Sequence, residues 1–281
     1  MITLPGRYDI SADEYHLDPV AGGSLTSSGA VKLVNECPAK FDYERRHPLP
    51  PKDVFDFGSA AHRMVLGAGR DIVVVDAENW LTKAAKAQRD EARANGLTPL
   101  LAGDYVVVKA MAAALRQHPM AAALLDPERG TPEQTIVWQD GPTGVWCRAL
   151  VDFLPHAADG RYVLGEYKSA ADASPAGCAK AMFNFNYHQR AQWYVRGAQR
   201  VLGDAALVLI FQEKSPPYLV HCAEPDAIAM RHGRDRNDEA LEIYAACAKA
   251  GRWPGYEPED EVAPLSLPDW LHNRILREGA F

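Results

Sequence analysis

Val145-Trp-Cys-Arg-Ala-Leu-Val-Asp152-Phe-Leu154 and, after a short polar connection, Tyr162-Val-Leu-Gly-Glu166-Tyr-Lys168 decide the fold. Both stretches are mostly apolar. Turn formers bound them: Asp140-Gly-Pro142 before the first and His156-Ala-Ala-Asp-Gly160 between the two. They read as consecutive strands of an antiparallel hairpin. Side chains on a strand alternate between its two faces. Val145, Cys147, Ala149, Val151 and Phe153 then share one face, and Trp146, Arg148, Leu150, Asp152 and Leu154 the other. In the second strand Tyr162, Leu164, Glu166 and Lys168 project together. Asp159 lies midway between Asp152 and Glu166, so the two carboxylates should be cross-strand neighbours, at roughly 5–8 Å.

Further strands are expected at Thr135 to Gln139, Leu207 to Glu213 and Tyr218 to Cys222, with Pro216-Pro217 between the last two. Between the hairpin and these strands, Pro175 to Leu202 reads as one or two helices, with an apolar stripe of Ala191, Tyr194, Val195, Ala198 and Leu202. On the N-terminal side, 24–47 reads as a capped helix broken or kinked at Pro38, and Pro48, Pro50 and Pro51 form a stiff turn. Short helical and strand segments follow at 57–66, 72–75, 79–94 and 103–117. Residues 225–251 form a long helix, and the tail is Pro-rich and irregular. Strands framed by helices predict an α/β domain: a central mixed sheet flanked by helices, with an N-terminal helical part. The whole chain, 1–281, reads as one domain.

Composition sets limits on function. The chain has 281 residues, 47% of them hydrophobic and 24% charged, which suits a large packed core. The most apolar stretch, 105–125, is interrupted by Lys109, Arg116 and His118, so no membrane span is expected. The first nine residues lack the apolar run of a secretory signal. Five widely spaced cysteines with no CxxC pair encode neither a disulfide framework nor a zinc or iron–sulfur cluster, and suit a reducing cytoplasm. The formal net charge is −7, yet residues 141–200 carry seven Lys or Arg against four acids. That local excess leaves room for a phosphate-binding groove in an acidic protein.

Paired carboxylates on a half-buried sheet repel each other and lose hydration, so they need a compensating cation. Carboxylate oxygens, waters and a phosphate suit octahedral Mg²⁺, or Mn²⁺ in its place. Lys168, two residues past Glu166 on the same face, is placed to polarise water or neutralise a phosphate. The set supplies what phosphodiester hydrolysis requires. Phosphate-binding P-loop, H-E-x-x-H and G-x-S-x-G motifs are absent from the sequence.

Five segments, in order, carry a resemblance: Gly58-Ser-Ala-Ala-His62, Cys147-Arg-Ala-Leu-Val-Asp152, Gly165-Glu-Tyr-Lys-Ser169, Tyr187-His-Gln-Arg-Ala-Gln-Trp-Tyr194 and Glu213-Lys-Ser-Pro-Pro-Tyr218. Over about residues 24–222 the chain resembles the RecB/RecE-type branch of the PD-(D/E)XK nucleases, and within it the phage-type exodeoxyribonuclease VIII catalytic domain. Residues 223–281 add a helix and tail.

The resemblance implies a restriction-endonuclease-like core and a role for each matching position. Asp152 and Glu166 would bind the metal. His62 would add a third ligand or stand just behind the ligands, and the Tyr167 carbonyl would complete the set. Lys168 would position the attacking water. Ser169 would hydrogen-bond near the site or simply end the strand. Arg148 belongs to the motif that ends in Asp152. Glu133 matches a glutamate that stands near a second metal in some relatives. Two departures stand out. The family more often has Asp in the slot of Glu166, and Arg190 falls where the related helix pattern has Gln. Gln189 or Gln192 would substitute, or Arg190 would contact phosphate instead. Trp193 and Tyr194 would stack on bases or sugar, or Tyr194 would belong to the apolar stripe.

The implied activity is a metal-dependent exodeoxyribonuclease acting on double-stranded DNA ends, beside a single-strand annealing recombinase and as a ring-like homo-oligomer. An endonuclease of the same superfamily and a catalytically weak DNA-binding protein on the same fold are the alternatives.

Overall fold

The computed structural model describes residues 1–47, 53–156, 160–256, 262 and 264–277. The proline turn expected at 48–51, and Asp159, lie outside the described residues. The chain begins with β1 (Gly6–Tyr8), α1 (Ala12–His16), β2 (Leu25–Thr26), α2 (Ser27–Asn35) and α3 (Pro38–Arg46). The break expected at Pro38 within 24–47 is present, and it divides the segment into two helices, α2 and α3. Thr26 caps α2 by accepting from the Gly29 N–H, and Pro38 opens α3, where its missing N–H costs no helical hydrogen bond.

Next come α4 (Asp53–Leu66), β3 (Ile72–Val75), α5 (Lys83–Ala94), β4 (Thr98–Leu101), α6 (Ala102–Gln117) and α7 (Pro119–Leu124). α4 starts earlier than the sequence suggested. α5 starts later, at its cap Thr82, whose side chain accepts from Ala85 N–H. β4 was not anticipated; it exists through parallel pairing with β3, from Ile72↔Thr98 to Val75↔Leu101.

The remaining elements are β5 (Gly130–Gln139), β6 (Trp146–Pro155), β7 (Tyr162–Ala170), α8 (Pro175–Asn184), α9 (Tyr187–Val201), β8 (Ala205–Glu213), β9 (Val220–Ala223), α10 (Ala227–Ala250) and α11 (Asp269–Arg277). The last corrects the expectation of an irregular tail.

The main sheet runs β1-β5-β6-β7-β8-β9, with β2 also paired to β6. It is mixed: β7 and β8 are parallel, joined through α8 and α9, and β2 is parallel to β6, while the other pairs are antiparallel. Each face carries its own apolar layer. One layer joins Ile136, Trp138, Cys147, Ala149, Val151, Leu164 and Leu207 to residues of α2, α9 and α10. The other joins Tyr167, Ile210 and Phe153 to α4, α6 and α7. Burying each large side chain contributes roughly 1.5–3 kcal/mol. Trp138 and Trp193 pack with ring centroids 5.2 Å apart. Gly197 makes this close approach possible, because a Cβ there would lie 2.5 Å from Trp138 Cζ3.

The simple alternation along β6 fails at one point. Phe153 packs in the α4 layer and Leu154 in the α9 layer, the reverse of the expected order. The break falls at Asp152. Its partner position on β5, between the registered pairs Pro132↔Phe153 and Gln134↔Val151, is Glu133, which has a left-handed φ of 49°. The local distortion re-aims the strand just where the carboxylate sits.

Candidate active site

β6 and β7 are in register at Phe153↔Gly165, so one step along Asp152 stands opposite Glu166. There the strands part. β6 takes β2 as a neighbour through Leu25↔Cys147 and Thr26↔Arg148, and β7 stays with β8 along its length. The Tyr167 N–H donates to Asp152 Oδ2 at 2.9 Å. A strand residue turns its N–H and C=O to the same side, so the Tyr167 carbonyl faces the same notch.

Four side chains meet in that notch. Lys168 Nζ lies 2.7 Å from Glu166 Oε1 and 3.6 Å from Asp152 Oδ2. His62, on the middle of α4, brings Nδ1 to 3.7 Å from Asp152 Oδ2. Its ring meets Tyr167 edge-on at 5.2 Å. Glu166 is only 4% exposed, and its Oε2 has no hydrogen-bond partner.

The electrostatics follow from burial. Burial pushes the Glu166 carboxyl up to about 7; neighbouring Asp152 pushes the same way, against the opposing pull of Lys168. Asp152 is also raised by burial, offset by Lys168 and by the Tyr167 N–H. Burial alone would depress the Lys168 ammonium, yet Asp152 and Glu166 raise it overall, so it is held charged. His62 is lowered to about 4, first by burial and then by Lys168, so at neutral pH it keeps a free lone pair.

Two carboxylates, a neutral imidazole and a strand carbonyl form a donor set that fits a divalent cation, with oxygen predominating as Mg²⁺ prefers. The partnerless Glu166 oxygen points the same way, since a buried acceptor without a donor is costly. Among the described residues no three His, Cys, Asp or Glu side chains close into a ready metal cage. The Lys168 ammonium instead bridges the two carboxylates.

Glu133 is brought beside this group. It is half-buried, and its carboxyl is raised first by burial and then by Asp152, with Arg63 opposing. Gly69, at φ +99°, leaves room for it: a Cβ there would sit 3.0 Å from Glu133 Oε1. On the α9 side, Tyr187, Arg190 and Tyr194 line a cleft with Glu166 and Lys168. Lys168 Nζ stands 5.8 Å from the Tyr187 ring centre.

Other candidates fall elsewhere. Arg148 is buried in an ion pair with Asp18 at 2.7 Å and donates to Ser24, so it anchors the segment before β2 and is not free for DNA. Gln192 accepts from Asn237 of α10 at 2.6 Å, away from the carboxylates. Gln189 is fully buried, and its backbone carbonyl accepts from Asn237. Ser169 falls on the Tyr167 face by alternation, opposite Glu166 and Lys168. Trp193 is buried and donates to the Arg148 carbonyl at 3.0 Å, which removes it as a base-stacking surface. Arg196, one of the seven cations of residues 141–200, is held by Asp238 at 2.5 Å. Sequence reasoning missed Asn184, Phe185 and Asn186, which line the cleft from the α8–α9 junction. Their only sequence signal was position just before the Tyr187 motif.

The profile of the PDDEXK-like domain of unknown function (DUF3799) matches residues 27–261. The chain belongs to this PDDEXK-like family, within the PD-(D/E)XK nuclease superfamily. The PDDEXK-like fold is seen again in the crystal structure of a candidate exonuclease from Eubacterium rectale, with a TM-score of 0.60 and 9% identity over 93% of this chain and 97% of that one. A second solved structure, SSO0001, aligns at a TM-score of 0.38 with 8% identity over 82% of this chain and 81% of its own, too distant to support an argument. No curated protein matches the sequence. Among the described residues no helix is long and apolar enough to cross a membrane.

Proposed function

We propose that this PDDEXK-like protein is a divalent-metal-dependent deoxyribonuclease that acts as an exonuclease on double-stranded DNA ends. The observation that carries the reading is the meeting of Asp152, Glu166, Lys168 and His62 at the parting of β6 and β7. Asp152 and Glu166 would hold Mg²⁺ or Mn²⁺, with His62 and the Tyr167 carbonyl completing the donor set. When bound, the cation supplies Lewis-acid polarisation of the phosphate and an acidified water.

The chain's own groups do the rest. Lys168 stays charged, so its ammonium orients the attacking water and offsets the negative charge that builds on the phosphate. Neutral His62 offers its lone pair without adding positive charge. Glu133 adds a carboxylate on the β5 side, where it would hold a second cation or tune the first. Arg190 stands at the cleft as a phosphate contact.

The exonuclease reading over the endonuclease reading rests on the resemblance to exodeoxyribonuclease VIII-type domains. The same resemblance supports work in phage-type recombination beside a single-strand annealing recombinase, and assembly as a homo-oligomer. Five widely spaced cysteines with no CxxC pair fit a reducing cytoplasm.

Purified protein incubated with linear and with supercoiled circular duplex, in Mg²⁺ or in chelator, tests the reading. Linear DNA should disappear only with metal, and the circle should stay closed. Nicking of the circle would favour the endonuclease. Retarded but uncut DNA would favour the DNA-binding protein.

A further inference from the structure

The segment Glu213-Lys-Ser-Pro-Pro-Tyr218 places no side chain in the notch, yet it ties together the elements that do. Glu213 ends β8, and its Oε1 accepts from the Ala173 N–H at 3.1 Å, just ahead of α8. The Lys214 N–H donates to the carbonyl of Ala170, the last residue of β7. Its ammonium stands 5.7 Å from the centre of the Phe57 ring on α4, the helix of His62. Gln212, the residue just before the segment, reaches furthest towards the site. It is fully buried, and by its register with Ser169 it lies on the Tyr167 face of the sheet, away from Glu166 and Lys168.

A buried amide destabilises an apolar layer unless its polar atoms are paired, and those of Gln212 are. The Tyr167 hydroxyl donates to Gln212 Oε1 at 2.8 Å. Gln212 Nε2 donates to the Met111 carbonyl of α6 at 2.7 Å and to the Tyr218 carbonyl at 3.5 Å. The two carbonyls fix which way the amide points, because only its nitrogen can donate. The tip of the Tyr167 ring is thus held by a group that is itself held from α6 and from the β8–β9 turn. The other side of Tyr167 faces the site. Its N–H donates to Asp152 Oδ2 at 2.9 Å, and its ring meets that of His62 edge-on at 5.2 Å. A tilt of Tyr167 therefore displaces the partners of two groups in the notch together.

We infer that Gln212 is a positioning residue for the cation site: by holding the Tyr167 hydroxyl, it fixes the piece of β7 that presents its N–H to Asp152 and its carbonyl to the notch. Its meaning for catalysis rests on the nuclease reading above. Gln212 itself touches neither cation nor DNA, and its influence passes through Tyr167. Without that bond the ring is free to tilt, the donors lose their mutual spacing, and cation affinity falls. Groups that hold metal ligands from behind set affinity by about tenfold or more. The same bond gives the Gln212–Tyr218 stretch, far from the notch in sequence and on the other side of the sheet, a reason to accompany the carboxylate motifs.

The test is calorimetric titration of the intact, metal-free protein with Mn²⁺, beside thermal melts of each variant in chelator. Gln212→Leu and Tyr167→Phe should each weaken Mn²⁺ binding about tenfold. The double variant should bind no more weakly than either single one, because both changes remove the same bond; independent effects would multiply to roughly a hundredfold. The double variant also strands neither partner of that bond, so it folds even where a single variant does not. Melting temperatures that fall while Mn²⁺ affinity stays at the wild-type value would overturn the inference, since Gln212 would then serve the fold alone. So would a hundredfold loss in the double variant. Both outcomes leave the nuclease reading standing. A wild type that binds no Mn²⁺ would instead overturn that reading, and the positioning role with it.

Discussion

Replacing Glu166 by glutamine keeps the shape of the side chain and removes one buried charge. In metal-free protein this should stabilise the fold. The Glu166 carboxyl, raised to about 7 from an ordinary 4.5, contributes stability that is fully present below 4.5 and lost as the pH rises through 7. At roughly 1.4 kcal/mol per pH unit, the ionised form therefore costs about 3 kcal/mol at pH 8. That figure is already net of the Lys168 attraction, and about half of it is expected once the glutamine amide has to be accommodated between Lys168 and Asp152. A protein of this size gains roughly 2–4 °C per kcal/mol. Glu166→Gln should thus melt roughly 3–6 °C higher than wild type in chelator at pH 8, and the advantage should shrink towards pH 5. Saturating Mg²⁺ should raise the melting temperature of wild type and not of the variant. Differential scanning calorimetry at the two pH values, with and without metal, reads all of this. A lower melting temperature for Glu166→Gln at pH 8 in chelator would show the opposite, that the ionised carboxylate stabilises the fold.

Three further outcomes are expected. Lys168→Ala should slow single-turnover DNA cleavage by about two to four orders of magnitude while leaving DNA affinity nearly unchanged, since Lys168 serves the water and phosphate and does not hold the metal. Arg148→Ala should cost about 1.5–3 kcal/mol in denaturant melts, because it removes the buried guanidinium that joins Asp18 to Ser24, and should leave the salt dependence of DNA binding unaltered; Arg190→Ala, in contrast, should flatten that dependence by about one unit of log–log slope. Gly197→Ala should lose about 1–3 kcal/mol by forcing the Trp138 ring aside, visible as a lower urea midpoint with unchanged slope.

The hairpin and its facing carboxylates were legible because period-two alternation and a short connection leave few registers. His62 could be placed at the site only through the resemblance. A lone histidine on a helix carries no signal of its partner, and the contact between α4 and β7 is tertiary. The alternation rule failed at Asp152 for a local reason: the left-handed Glu133 on the neighbouring strand, invisible in the β6 sequence, swaps the faces of Phe153 and Leu154. Arg148 and Arg196 add to the cationic excess of 141–200 because charge is visible in sequence, whereas their partners Asp18 and Asp238 are distant in the chain. β4 escaped because a four-residue strand is defined by its pairing with β3 and not by its own pattern. The cleft residues Asn184 to Asn186 escaped because a helix junction has no period.

DNA cleavage is proposed to depend on a cation held by Asp152 and its neighbours. Its most direct measurement is single-turnover digestion of an end-labelled linear duplex by wild type and Asp152→Asn, each in Mg²⁺ and in chelator. Wild type should release short products in Mg²⁺ alone, and cleavage should be lost in both Asp152→Asn and chelator. Cleavage that persists in chelator, or an Asp152→Asn protein that cuts at the wild-type rate, would contradict it.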